Sequence, residues 1–99
     1  MYRHGDVLIA PIAPTAVPEN AIRRPDLILA HGEITGHTHR VQPRDAASLF
    51  EIDSQLFLRV HAPATVVHEE HKPITLAPGT YRVWRQREYA PAEIRTVQD

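Results

Sequence analysis

With 99 residues, the chain is long enough for one domain, spanning residues 1–99, that buries about two-thirds of its unfolded surface. Its apolar fraction of 42% lies well above the disordered range, and a formal charge of −1 supplies no global attraction for nucleic acid or an anionic membrane. Cysteine is absent, which excludes disulfides, thiolate metal sites and cysteine nucleophiles.

The first residues, Met1-Tyr2-Arg3-His4-Gly5-Asp6, run into only a short apolar patch, and no stretch approaches the ~18 apolar residues of a membrane span. A cytoplasmic protein with no membrane partner is the expectation. Residues 6–12 predict a first strand, apolar and β-branched, whose Pro11 belongs at an edge or an exit. Residues 13–26 carry Pro14, Pro18 and Pro25, which break any useful helix and predict a loop over the sheet. Residues 27–30 resume a buried strand that leads into His31-Gly32-Glu33-Ile34-Thr35-Gly36-His37-Thr38-His39-Arg40-Val41.

Residues 41–48 read as a polar connection, 49–52 as a strand and 53–55 as a turn. Residues 56–61 form a strand with Leu56, Leu58 and Val60 on one face. Thr65-Val66-Val67-His68 is again extended, followed by Glu69-Glu70-His71 and by Pro73, which ends the segment. Residues 74–76 continue as a strand, and Ala77-Pro78-Gly79-Thr80 has turn chemistry. A last strand covers 81–89, with Tyr81 and Val83 on one side and Arg82 and Trp84 on the other. A further short strand fits 94–97. The pattern predicts an all-β single domain of about seven or eight short strands, a small barrel or a jelly-roll-like sandwich, able to form a homodimer through an edge strand.

Chemistry concentrates in the histidines. Drawn as one extended strand, residues 30–41 put His31, Glu33, His37 and His39 on one face; Gly32 and Gly36 argue for a bend, which leaves only the His37–His39 pair with a purely local argument. Two imidazoles two residues apart can converge on one ion, and a third ligand must come from elsewhere. His68 and His71 are the candidates, with His31, Glu33 and Glu70 in reserve. The central expectation is that the two clusters meet across a small β-sheet and hold a divalent metal, with Zn, Fe, Ni and Mn all open. If the site is catalytic, a metal-activated water attacks a small-molecule substrate of unknown identity, with Glu33 or Glu70 as proton acceptor. The bland alternatives are histidines that pack and hydrogen-bond, or that sense pH without metal. A different class of reading is a non-catalytic interaction protein that meets a protein or nucleic-acid partner through the histidine face and Arg82, Trp84, Arg85 and Arg87.

The β-only pattern, the His-x-His stretch and the Ala77-Pro78-Gly79 turn resemble the cupins, and that resemblance implies a jelly roll holding a metal. The motif order departs from theirs: Glu33 precedes His37, and Arg82 stands near where the later cupin histidine would be. The blocks HGDVLIAPI, HGEITGHTHRV and HEEHKPITLAPGTYRVWRQREY resemble a group of short, uncharacterised bacterial and phage-associated proteins. That resemblance implies a compact stand-alone protein and brings no activity with it.

Overall fold

A computed structural model describes residues 1–32 and 34–86. Ten strands lie in these residues: β1 (Tyr2–His4), β2 (Val7–Ile12), β3 (Ile22–Arg23), β4 (Ile28–His31), β5 (Thr38–Gln42), β6 (Ala47–Ile52), β7 (Gln55–Val60), β8 (Ala64–Val67), β9 (Ile74–Leu76) and β10 (Gly79–Arg85). They form a six-stranded sheet in the order β1-β2-β10-β7-β6-β3 and a four-stranded sheet in the order β4-β5-β8-β9. Every pairing is antiparallel. The sheets pack as a sandwich and do not close into a barrel, so of the two expected all-β forms the sandwich holds.

The core follows from strand alternation. Cross-strand partners share a face, so the register Ile9↔Val83, Tyr81↔Leu58 and Leu58↔Leu49 lines up one inward layer on the larger sheet. Leu29, Val41, Val66 and Leu76 face it from the smaller sheet, all within one buried cluster. Burying each of these side chains contributes about 1.5–3 kcal/mol before chain entropy is counted.

The same alternation carries polar residues inward at the ends of strands. His4 pairs with Val7 and so shares the core-facing side of β1, whereas Arg3 and Leu8 lie on the opposite face of the sheet. His39 pairs with Ala30 across β4–β5, and both are buried. The two histidines therefore meet from opposite sheets.

Ten strands replace the expected seven or eight because two are too short to show periodicity. β3 is two residues long, and β1 carries two polar residues in three. The connection predicted at 41–48 shrinks to a 3-10 turn, Arg44–Ala46, since β5 runs to Gln42 and β6 begins at Ala47. The turn near residue 53 is a two-residue hairpin with Asp53 at φ 51° and Ser54 at φ 65°, closing the Ile52↔Gln55 pair. The predicted strand at 94–97, and the end of the one at 81–89, lie outside the described residues.

Candidate metal centre

Residues 30–41 are not one strand. β4 ends at His31, and the chain turns back before β5; Gly32 N–H donates to His37 O at 2.7 Å, and His37 N–H to Ile34 O at 3.0 Å. Gly36 supplies the positive φ of 89° that this reversal needs. The hairpin corrects the extended-strand expectation: His31 is exposed at the end of β4, opposite Thr38, while His37 sits at the foot of the turn and His39 points inward from β5. His37 and His39 still reach a common neighbour, with ring centroids 5.7 Å and 4.4 Å from that of His68.

The second cluster arrives beside them because β5 pairs with β8. The register Arg40↔Val67 brings His68, the next residue, level with His39. Glu69 then fastens the loop to β5, one carboxylate oxygen accepting from Thr38 N–H at 3.1 Å and the other from Arg40 Nη1 at 3.0 Å. These donors hold its carboxyl below the ordinary glutamate range, led by the bond from its own backbone amide. His71 follows on the far side of the loop, with its ring centroid 4.7 Å from that of His68 and 5.5 Å from that of His39. The two clusters thus meet, as the sequence leads one to expect.

A third contributor has no counterpart among the expected ligands. The β1–β2 turn brings in His4, Gly5 and Asp6. His4 Nδ1 lies 2.9 Å from His39 Nδ1, and its Nε2 lies 3.0 Å from Lys72 O. Asp6 Oδ1 is 3.8 Å from His39 Nε2, while Asp6 Oδ2 accepts from Arg85 Nη2 at 2.8 Å and Nε at 3.2 Å. Gly5 has φ +63°, and a Cβ there would stand 2.9 Å from His71 Nε2 and 3.0 Å from His39 Cε1. Glycine is needed on both counts, since the turn requires a left-handed residue and the imidazoles press against its backbone.

The electrostatics favour the neutral form of His39 and His68. Burial lowers the pKa of His39 to about 4, aided by the charges that His68 and His4 would carry, with Asp6 only partly opposing the shift. His68 is lowered as well, by burial first and then by His71. Metal coordination requires unprotonated imidazole nitrogens, and this arrangement supplies them at physiological pH.

Two ligand groups are geometrically available among the described residues. His39, His68 and His71 each offer an atom within 4.8 Å of the others, and so do His37, His68 and Glu69. They share His68, so one ion takes one group or the other. The first group has the stronger chemistry, because both Glu69 oxygens already serve the loop clamp. Tetrahedral bonds of about 2.0–2.1 Å set nitrogens about 3.3 Å from one another, a spacing that lies within the 4.8 Å bound of this group.

The remaining expected site residues fall at the margins. His31 belongs to neither group, and its carbonyl accepts from Arg85 Nη1 at 3.2 Å. Glu33 lies outside the described residues. Glu70 is exposed, with its Oε1 3.8 Å from His37 Nδ1, a buried nitrogen that has no hydrogen-bond partner among the described residues. The proposed basic strand is divided: Arg82 lies over the Trp84 ring at 5.5 Å, Arg85 is committed to Asp6, and Arg87 is outside the described residues. His4 and Asp6 are the neighbours of the cluster that sequence reasoning did not place there; the one local signal was a histidine and an acid flanking Gly5 just ahead of the apolar strand β2.

A family model for a domain of unknown function (DUF8820) matches residues 3–86, and the chain belongs to that family. The match takes in His4, Asp6 and every histidine of both ligand groups. No curated protein and no solved structure matches the chain.

Proposed function

We propose that this member of the DUF8820 family is a metal-binding β domain in which His39, His68 and His71 hold one divalent ion beside Asp6. The observation that supports it most is the convergence of three imidazoles within 4.8 Å, one of them buried and kept neutral by that burial. Packing alone gives no reason to gather histidines whose mutual repulsion opposes protonation and whose rings displace apolar contacts. An imidazole-rich set favours Zn, Fe or Ni over Mn.

Three protein nitrogens leave coordination positions for water or substrate, the arrangement of catalytic rather than structural zinc. When bound, the ion would act as a Lewis acid on a small substrate or on water. Asp6 has its Oδ1 3.8 Å from His39 Nε2 and is the better proton acceptor of this reading, since Glu70 faces His37 instead. Arg85 holds Asp6 in place from β10.

Metal analysis of untagged protein tests the proposal. It should find about one equivalent of a transition metal, and chelation should lower the melting temperature. Sub-stoichiometric metal together with an unchanged melting temperature in chelator would sink it.

A further inference from the structure

We infer that His4, outside the ligand set, is the positioning residue that fixes the tautomer of His39 and presents its Nε2 as the metal-binding nitrogen. The consequence for metal rests on the reading above; the tautomer itself does not.

The derivation starts from a group with no choice. A backbone carbonyl can only accept, so the 3.0 Å contact between His4 Nε2 and Lys72 O places a proton on that nitrogen. A neutral imidazole carries one such proton, which leaves His4 Nδ1 with a bare lone pair. That lone pair faces His39 Nδ1 at 2.9 Å, and His39 must therefore donate. The reverse assignment would set two lone pairs against each other at hydrogen-bonding distance between side chains that are 2% and 3% exposed. His39, neutral with its proton on Nδ1, is left with Nε2 as its only coordinating atom.

The surroundings of that atom fit a cation. Asp6 Oδ1 stands 3.8 Å from His39 Nε2, so two electron-pair donors face each other. The carboxylate therefore stands beside a cation bound at His39 Nε2 and favours its charge. Histidine ligands generally donate their second nitrogen to an orienting acceptor. Here the acceptor is another histidine, itself oriented by the loop that carries His71. His4 consequently ties β1, β5 and that loop together through one ring.

Long-range proton–nitrogen correlation spectra of metal-free protein at pH 8 locate these protons directly. The native protein should show His39 protonated on Nδ1 and His4 on Nε2. His4→Phe should move the His39 proton toward Nε2 and weaken zinc binding by about 10–100-fold. His4→Gln, whose amide can accept from His39 and donate to Lys72, should preserve both. A native His39 protonated on Nε2 overturns the inference, as does a folded His4→Phe protein with unchanged tautomer and affinity. If the phenylalanine variant does not fold, the native spectrum and the glutamine variant still decide. A native protein with His39 protonated on Nδ1 but no stoichiometric zinc would remove the metal reading and leave the relay standing.

Discussion

The two halves of the histidine cluster are built on opposite principles. His39 and His4 sit on strands, are 3% and 2% exposed, and are bonded to each other, so ring position and proton position are set together. His68 and His71 lie half-buried in a loop between exposed residues, and His68 Nδ1 is already occupied, accepting from Glu70 N–H at 2.9 Å. A neutral His68 therefore carries its proton on Nε2. Coordination through either nitrogen requires it to give up the Glu70 bond. One half is ready for an ion and the other must exchange a bond for it.

Removing a ligand from each half should expose this difference, and it is the largest effect expected. His39→Ala should abolish zinc binding in calorimetric titration, because no other described residue supplies a prearranged nitrogen at that point. His71→Ala should weaken binding without abolishing it, since a solvated loop position can be filled by water. His31→Ala, outside both ligand groups, should leave binding unchanged. In amide spectra of the native protein, zinc should displace the Glu70 signal strongly and the strand signals around Val41 weakly. Equal losses in the His39 and His71 variants would erase the distinction between the halves.

Acid should break the buried half in proportion to its displaced pKa. His39 titrates near 6.5 when unfolded and near 4 when folded, so between those values the unfolded chain binds the extra proton. Stability contributed by the neutral ring is thus complete above 6.5 and is lost as pH falls toward 4, a swing of about 3 kcal/mol for His39. The lowered pKa of His68 adds a change of the same sign. Urea midpoints of metal-free protein at pH 7.5 and 5.0 test this, the latter chosen to stay above most carboxylate titrations. His39→Gln should flatten the slope in that interval. A native midpoint that does not fall between the two values contradicts the neutral, buried ring.

The fold was largely legible because strand alternation and proline–glycine punctuation are local. Leu58 and Val60, or Tyr81 and Val83, announce a buried face two residues at a time. The meeting of His39 with His68 was legible as well, since each cluster adjoins a β-branched strand and two such strands pair readily. What the sequence hid is set by long-range register. His4 is inward only because β1 pairs with β2 as His4↔Val7, and a three-residue strand shows no period from which to read a face. Asp6 enters through Arg85, 79 positions away in the chain. Gly32 and Gly36 signalled a break in residues 30–41, yet only the closed hydrogen bonds of the turn show that His31 is the residue left out.

The smallest effect expected is in the clamp that holds the loop half in place. Glu69 joins it to β5 through Thr38 N–H and Arg40, an exposed pair whose contribution to global stability is slight. Its local importance is greater, because His68 and His71 keep their positions relative to His39 only while this loop stays on β5. Glu69→Gln keeps an acceptor for Thr38 and loses the charge pair, whereas Glu69→Ala loses both. Thermal stability should hardly change in either variant, and zinc affinity should fall a few-fold in the alanine variant and less in the glutamine one. The alanine loss should persist at high salt, where Arg40 pairing is screened but the Thr38 bond remains. Were Glu69 instead a metal ligand in the alternative group with His37, both substitutions would cut affinity steeply and His37→Ala would match them. Unchanged affinity in His37→Ala beside a small loss in Glu69→Ala assigns Glu69 to holding the loop rather than the ion.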